Sequence, residues 1–542
     1  MRRTWVISGL VVVAVIAGAA VYQRGLFWRE FKYLDTRLMA DLGQPDALIR
    51  TASLSKLPRD LLRVPIARDV LTEDLAFYYE QHEDRLGLKG AVKRIAYEHQ
   101  LDWTDRIVAS ALDEPAEVAL WRDGKGALRH FAIVMQRNAL GKVLQEGLSV
   151  ALKDRQLTLA GEIETARGKA NVFALEINPR RTLLIAAVGE RIVVLSDPGL
   201  LFDKGKVMVP TARAAVAEWL EAGGALSKRF ALDEGAGKGG ERPLHTLVIG
   251  APALSLGYGS FVPGFRGVRF DFGSGWSTSV WIDPKELSTA GLGDAALWRA
   301  VPANPSACLV LPVDWRMAQK VVAGADKKPA LADANALAAL EGSGLVCWYG
   351  NSTLYAPVFV AKLSKGLPDR NAALQALANW ALAKRGADVI AGVPAPAKEK
   401  KVAAADDTVV WRAAKSDAQK TAAPAAVGAR GSYVVFSPDG ALVDLVFDTL
   451  SRRNPSVADQ MPVSNATLAL ITPRPLSGMV EREALDALSG AGDANLHAAA
   501  QTHLPARMKA LAAYPPYRLE LSSGKAQGSW QRVEWRTPVE KK

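Results

Sequence analysis

Cysteine and histidine are scarce in this chain of 542 residues, which contains two cysteines and six histidines. A structural zinc site needs four such ligands at short spacings. No two histidines here are three or four residues apart, the spacing that places both rings on one helix face. The sequence therefore predicts no metal ligands. Two cysteines are also too few for a small domain held together by many disulfides.

The sequence also lacks the common motifs of nucleotide binding and nucleophilic catalysis. In the glycine-rich stretch 234–241, Gly239 follows Lys238, where a phosphate-binding loop needs serine or threonine. Ser53 and Lys56 match an S-x-x-K pattern, but the accompanying S-D-N and K-T-G elements are missing. A serine just ahead of a helical stretch favours an N-cap instead. We therefore predict no catalytic residues, no cofactor-binding residues and no cofactor.

Basic residues exceed acidic ones, 67 to 56, which gives a formal net charge of +11. An excess of this size attracts nucleic acid or anionic lipid where the charges cluster. Here the basic pairs, such as Arg180 with Arg181 and Arg452 with Arg453, are scattered along the chain. The pattern is typical of a solvated surface and predicts no nucleic-acid partner.

A long hydrophobic run stands near the N-terminus, from Trp5 to Tyr22, with two arginines before it. As a helix it would be about 27 Å long, close to the thickness of the hydrocarbon core of a bilayer. Positive residues ahead of such a run favour the cytoplasmic side. We predict a cytoplasmic N-terminus at 1–4, a transmembrane anchor at 5–22 and an amphipathic helical stalk at 23–50.

This anchor would make the chain a single-pass protein of the inner membrane, with its body in the periplasm. The alternative is a cleaved signal peptide and secretion to the periplasm, because Ala17, Gly18 and Ala19 fit the small-x-small cleavage pattern. The apolar run is longer than the core of a usual signal peptide and continues into the stalk. These two features favour the anchor.

The body is too long for one ordinary core and contains recurring stretches. Ile192–Leu201 (IVVLSDPGLL) returns as Tyr433–Leu442 (YVVFSPDGAL), and other strand-like stretches recur in the same order. The spacing, on the order of 220 to 250 residues, indicates duplication of a whole domain rather than a solenoid. We predict an α+β fold in which the transmembrane helix precedes two similar mixed sheet-and-helix domains, at 51–290 and 291–542.

Two stretches of the second predicted domain are rich in alanine and proline and poor in large apolar residues. They lie near 391–408 and 415–431. Such composition cannot bury enough apolar surface to form a packed element. We predict exposed, mobile loops at both places.

Cys308 and Cys347 lie in the strand-like runs ACLVLPVDW and LVCWYGNS. If the two strands are neighbours, the cysteines could meet, and an oxidising compartment would permit a disulfide. Two buried free thiols are the alternative. Both possibilities remain open from the sequence alone.

Leu57–Glu80 (LPRDLLRVPIARDVLTEDLAFYYE), together with ACLVLPVDW and WYGNSTLYAPVFVAKL, resembles the YfaA-like proteins of Gram-negative bacteria. The resemblance covers nearly the whole chain after the predicted anchor and implies a single-anchor envelope protein. Its motifs are apolar and proline-rich, and they carry no active-site residue over to this chain. Family members are typically encoded beside an α2-macroglobulin-like protease trap, which implies such a protein as a partner.

Together, the anchor, the large body and the absence of a convergent catalytic set predict a non-enzymatic protein. We expect a binding or scaffold component of an envelope complex. One alternative is a periplasmic hydrolase whose catalytic residues come from both halves. Another is a carrier of lipid or hydrophobic peptide.

Overall fold

The structure of the protein is a computed structural model. The described residues are 41–54, 56–57, 60, 113–122, 128–136, 157–178, 181–203, 207–233, 243–254, 262, 264–273, 275–283, 294–316, 318–319, 336–383, 393–394, 408–413, 423–489, 494–522 and 529–537. Elements are numbered in chain order within these residues.

The first half of the chain contributes ten strands and three helices to the described structure. The strands are β1 (Ala47–Thr51), β2 (Ala116–Arg122), β3 (Leu128–Gln136), β4 (Leu157–Thr165), β5 (Gly168–Asn178), β6 (Arg181–Val188), β7 (Arg191–Leu195), β8 (His245–Gly250), β9 (Phe265–Phe272) and β10 (Trp276–Ile282). The helices are α1 (Pro210–Glu221), α2 (Ala225–Arg229) and α3 (Ala251–Leu254).

The second half contributes ten more strands and five helices. The strands are β11 (Ala307–Leu311), β12 (Leu340–Trp348), β13 (Val358–Leu363), β14 (Val393–Pro394), β15 (Val409–Arg412), β16 (Ala426–Arg430), β17 (Tyr433–Ser437), β18 (Thr467–Ile471), β19 (Tyr517–Leu521) and β20 (Trp530–Arg536). The helices are α4 (Arg370–Ala383), α5 (Gly440–Leu450), α6 (Val457–Gln460), α7 (Pro473–Ser489) and α8 (Ala494–Ala512).

All 20 strands belong to one sheet, and every pairing in it is antiparallel. In space the order is β4-β5-β6-β7-β3-β2-β1-β8-β9-β10-β20-β19-β18-β11-β12-β13-β17-β16-β15-β14. The last strands of the two halves, β10 and β20, pair directly and make the sheet continuous. We call this pairing the seam.

The predicted fold class is therefore wrong. The described residues form one large antiparallel sheet with few helices, not a transmembrane helix followed by two separate mixed domains. Sequence patterns failed here because the seam joins residues more than 240 positions apart, and no local signal marks which strand edges meet. Among the described residues, no helix is long and apolar enough to cross a membrane. The predicted anchor at 5–22 and the segment 1–4 lie outside the described residues.

The two halves have the same strand order, counted from the outer edge of the sheet to the seam. It is β4-β5-β6-β7-β3-β2-β1-β8-β9-β10 in the first half and β14-β15-β16-β17-β13-β12-β11-β18-β19-β20 in the second. The recurring stretches from the sequence lie on β7 and β17, which hold corresponding places in this order. After each of these strands an aspartate caps the next helical turn. Asp197 accepts a hydrogen bond from Gly199 N at 2.7 Å, and Asp439 accepts one from Ala441 N at 3.1 Å. Each recurring stretch thus contains the end of a buried strand and the start of a helical turn.

Two predicted boundaries differ from the structure. β1 begins at Ala47, so the end of the predicted stalk at 23–50 belongs to the sheet. β16 lies within the loop predicted near 415–431, and four of its five residues are buried. Small residues allow this, because Gly428 lies against Phe447 of α5, where a larger side chain would not fit. Most of the other predicted loop, near 391–408, lies outside the described residues.

Helices cover the outer strands and build the main cores. α1 packs against β4 and β7 and buries Trp219, whose ring stacks 6.3 Å from that of Trp121 on β2. In the second half, neighbouring residues of β17 face opposite sides of the sheet. Val435 packs in the cluster that contains α5, and Val434 packs in the cluster that contains α4. The central strands beside the seam, β9, β10 and β20, carry polar side chains on one face.

Candidate functional site

Polar side chains line one face of the three central strands β9, β10 and β20. On β10, Ser277 and Ser279 point to this face. Ser277 lies directly opposite Asp271 of β9, and Ser279 lies directly opposite Arg269. Across the seam, Ser279 also lies directly opposite Arg532 of β20. Because alternate residues of a strand share a face, Glu534 lies on this face too.

Short side chains on the middle strand and long ones on both neighbours make a groove that runs along β10. Its floor is Ser277 and Ser279, and the strand spacing makes it about 10 Å wide from one wall to the other. We call this feature the polar groove and define it by its lining residues: Arg269, Asp271, Ser277, Ser279, Arg532 and Glu534.

Two tryptophans of the seam close one end of the polar groove. Trp281 of β10 lies directly opposite Trp530 of β20, and their ring centroids are 5.6 Å apart. Trp530 is buried, and its Nε1 donates a hydrogen bond to Phe230 O at 2.8 Å. Trp281 is only half-buried, so an apolar surface remains accessible at this end.

In the β9 wall, hydrogen bonds within β9 and from β8 hold the two charged side chains. Arg269 Nε lies 2.9 Å from Asp271 Oδ2, and Thr246 Oγ1 donates to Asp271 Oδ1 at 2.6 Å. The Arg269 and Asp271 side chains are 11% and 17% exposed. This wall is therefore fixed in place before any ligand arrives.

In the β20 wall, Glu534 lies beside a second glutamate on the neighbouring strand β19, and the two share one arginine. Glu520 of β19 lies directly opposite Glu534, an arrangement that like charges alone would destabilise. Arg536 relieves the repulsion, because it reaches Glu520 Oε2 at 3.1 Å and Glu534 Oε2 at 2.8 Å. Hydrogen bonds from Arg536 and Ser522 hold the pKa of Glu534 below its usual value. Glu534 is thus ionised and oriented.

Arg532 differs from the other charged residues of the polar groove. It is exposed, and within the described residues its guanidinium group takes part in no ion pair or hydrogen bond. Its planar fork of N–H donors matches a carboxylate or another oxyanion. Ser279, directly opposite, supplies a hydroxyl donor beside it. Arg532 and Ser279 are therefore available to a ligand.

A second group of polar residues surrounds His245 at the start of β8. We call it the histidine cluster. His245 Nε2 lies 3.1 Å from Asp60 Oδ2, and its Nδ1 lies 2.7 Å from Thr51 Oγ1. The Thr51 hydroxyl contacts Ser53 O at 2.7 Å. If the single hydroxyl proton is assigned to that bond, Nδ1 of His245 donates to Thr51.

An exposed ion pair adjoins the histidine cluster. Ser53 Oγ donates to Asp113, whose carboxylate lies 2.9 Å from Lys56 Nζ. Ser53 Oγ also accepts from Lys56 N at 3.2 Å, which is N-cap geometry. The S-x-x-K pattern at Ser53 and Lys56 therefore includes the cap that the sequence favoured.

The order carboxylate, imidazole and hydroxyl in the histidine cluster is that of a nucleophile triad. However, His245 is 1% exposed, Asp60 5% and Thr51 2%, so no substrate atom can reach the hydroxyl in this arrangement. The cluster joins the turn after β1 to β8, and its contacts fit a structural tie. Its pairs, such as Asp60 with His245, are 185 residues apart, which hid them from sequence reasoning.

The two cysteines are neighbours in the structure. Cys308 of β11 lies directly opposite Cys347 of β12, their Cα atoms are 4.1 Å apart, and their sulfurs are bonded. Both residues are fully buried in the core beneath α5. No group of three possible metal ligands occurs within the described residues, and the glycine-rich stretch 234–241 lies outside them.

The polar groove was missed from the sequence, although part of its signal was present. In WSTSVWI and WQRVEWR, polar residues alternate with apolar ones, as in strands with one solvated face. What could not be read is that these two strands are neighbours. Arg532 and Ser279 meet only because the seam sets their register.

Comparison with known proteins places the chain in a family. A solved structure entitled "Structure of crystal form III of TP0453" aligns with 46% of this chain and 82% of its own, at 9% identity and a TM-score of 0.21. The uncharacterized protein YfaA of Escherichia coli (strain K12) is 29% identical over 515 residues, which cover 91% of this chain and 90% of YfaA. The predicted resemblance to YfaA-like proteins is confirmed. Residues 10–535 match the DUF2138 model, described as "Uncharacterized protein conserved in bacteria", and the chain belongs to this family.

Proposed function

We propose that this protein is a non-enzymatic binding or scaffold component of the bacterial cell envelope, and that it holds a protein partner in the polar groove. The proposal rests on one observation: the centre of a continuous sheet presents an ordered polar groove in which Arg532 and Ser279 are available. The wall formed by Arg269 and Asp271 is already fixed by hydrogen bonds and would lose little entropy on binding, which favours a recognition surface.

The disulfide supports a location outside the cytoplasm. Disulfides form and persist in oxidising compartments and are rare where thioredoxin and glutathione keep thiols reduced. Cys308 and Cys347 are joined inside a core, where reductants have little access. The disulfide therefore supports our proposal that the folded body lies in the periplasm. The role of residues 5–22 as its anchor stays a prediction from the sequence.

The family resemblance suggests which partner to examine first. Neighbouring genes in YfaA-like families imply an α2-macroglobulin-like protein, and we propose such an envelope protein as the partner. The polar groove is the surface that we propose for this contact.

Photo-crosslinking in living cells tests the proposal. Gly275 is suited to carry the crosslinking amino acid p-benzoylphenylalanine, because it is exposed at the end of the groove floor and a Cβ there meets nothing within 4 Å. Arg213 is the matched control position, since it is exposed on α1, far from β10 in the sheet order. Adducts are detected by gel shift and identified by mass spectrometry.

We expect one adduct of defined mass from position 275 and none of that mass from position 213. Substitution Ser279→Tyr, which fills the groove floor, should abolish the adduct. A crosslinker at position 275 that captures no protein would contradict the proposal. The same adducts from both positions, or an adduct that survives Ser279→Tyr, would contradict it as well.

A further inference from the structure

We propose that the polar groove binds an extended acidic segment of a protein partner, with a partner carboxylate held by Arg532 and Ser279. This inference rests on the proposed function and specifies the chemistry of the partner. It follows from the shape of the groove, from the distribution of its charges and from the tryptophan pair at its end.

The shape of the groove fits a single extended chain. Its floor follows one strand, and its walls are the two neighbouring strands, so its axis follows β10 from Ser277 to Trp281. An extended chain presents alternate side chains to one side, about 7 Å apart. Positions on the groove face of β10 have the same spacing, because Trp281 and Ser279 are two residues apart on this strand.

The distribution of charge selects an acidic residue. Arg269 is paired with Asp271, and Glu534 is held by Arg536 and Ser522. The charges of Arg269 and Glu534 are thus partly balanced within the protein. Arg532 is the exposed groove charge without an ion pair among the described residues, so a ligand carboxylate gains a partner there without breaking one.

The tryptophan pair sets the register of the bound segment. Trp281 is half-buried and lies on the groove face two residues from Ser279. A segment that places its acidic residue at Arg532 therefore brings the residue two positions away to Trp281. An aromatic or large aliphatic side chain there would gain apolar contact. The structure thus favours a motif with an apolar and an acidic residue two positions apart.

Peptide binding to the full-length chain in detergent tests this motif. The probe is a fluorescent decapeptide of serine and threonine that contains one phenylalanine and one glutamate, two positions apart. The comparison peptide carries lysine in place of glutamate. Binding is followed by fluorescence anisotropy at low and at high salt, because an ion pair on an exposed surface weakens as salt rises.

We expect the glutamate peptide to bind at least tenfold more tightly than the lysine peptide. Arg532→Glu should reverse this preference, and Ser279→Tyr should weaken both peptides at least tenfold. The matched control Arg213→Glu makes the same charge change at a distant exposed site and should leave both affinities unchanged.

Equal affinity for the two peptides, no binding of either, or equal losses from Arg532→Glu and Arg213→Glu would overturn the inference. Phosphatidylglycerol vesicles form a separate arm: if they bind to the groove and Arg532→Glu abolishes that binding while peptides do not bind, the ligand is a lipid headgroup and the inference is wrong. If the adduct from position 275 persists while the glutamate peptide fails to bind, the acidic motif is wrong and the proposed function stands.

Discussion

Trp281 and Trp530 face each other across the seam, with ring centroids 5.6 Å apart. The pair belongs to the region where the strands of the two halves become one sheet. Trp530 also donates a hydrogen bond to Phe230 O, so it ties β20 to the first half of the chain by a second contact. The seam is therefore a packed core element rather than a loose contact between two bodies.

Removal of the Trp530 side chain should destabilise the whole fold. Trp530 is 2% exposed, and truncation of a buried tryptophan costs about 3–5 kcal/mol because apolar burial is lost and a cavity remains. We expect Trp530→Ala to lower the free energy of unfolding in urea by that amount. Tyr355, which is 73% exposed, is the control, and Tyr355→Ala should change it by less than about 0.5 kcal/mol. Similar small effects from both variants would show that the seam is not packed as described.

The histidine cluster should behave as a buried tie. Asp60→Ala removes the carboxylate beside His245 Nε2 and leaves a polar group without that partner in a site 1% exposed. We expect a loss of about 3 kcal/mol in the free energy of unfolding, the usual result of breaking a buried pair. Asp233→Ala, which breaks the more exposed ion pair with Arg50, should cost about 0–1 kcal/mol. A smaller loss at Asp60 than at Asp233 would contradict the structural role.

The disulfide should account for a substantial part of the stability. Cys308 and Cys347 are separated by 39 residues, and closing a loop of that length in the unfolded chain corresponds to about 4 kcal/mol. The double variant Cys308→Ala with Cys347→Ala should lose roughly this amount in urea unfolding. Thiol labelling of the denatured, unreduced wild type should find no free cysteine. Labelling of two thiols in protein isolated from the periplasm would refute the bond.

Alkaline pH should destabilise the protein partly through Tyr349. This residue is buried, its hydroxyl donates to Pro302 O at 3.0 Å, and desolvation raises its pKa well above the usual value of 10.0. Above pH 10 the unfolded chain therefore loses the phenol proton while the folded chain keeps it, so stability falls as pH rises, by up to about 1.4 kcal/mol per pH unit. Below pH 10 the protonated Tyr349 phenol makes its full contribution to the free energy of unfolding.

Tyr349→Phe separates this effect from the rest of the alkaline response. The variant loses one hydrogen bond, about 1 kcal/mol at pH 8. Between pH 10 and 11 its free energy of unfolding should fall less steeply than that of the wild type. Some alkaline loss should remain, because burial also raises the pKa of Tyr517. Identical slopes for the two proteins would show that Tyr349 does not keep its proton in the folded state.

Local pattern sufficed for elements that depend on nearby residues. The runs around Cys308 and Cys347 were expected to be strands, and they form β11 and β12. The cap at Ser53 was favoured by its place ahead of a helical turn, and Lys56 N does bond to Ser53 Oγ. In such cases the physics acts over a few residues, so the sequence contains the whole signal.

Long-range pairing could not be predicted in the same way. Recurring stretches suggested two bodies, because a repeated pattern gives no information about which strand edges join. A strand edge offers the same N–H and C=O groups whichever neighbour it meets, so the choice of β20 by β10 depends on side chains such as Trp281 and Trp530. The polar groove and the His245 contacts were missed for this reason.

The central claim is that β10 and β20 are direct neighbours in the stated register, since the polar groove has two walls only in that case. A cysteine pair tests it most directly. Ser279 and Arg532 lie directly opposite each other, so Ser279→Cys with Arg532→Cys should form a second disulfide on mild oxidation. Ser277→Cys with Arg532→Cys is the control, because diagonal positions are about 7–8 Å apart and beyond the reach of a disulfide.

Intact-mass and peptide mapping of the oxidised proteins give the answer. We predict a bond between positions 279 and 532 in nearly all molecules of the first variant and in few of the second. Free thiols at both positions of the first variant, or equal bonding in the two variants, would contradict the seam and the groove built on it.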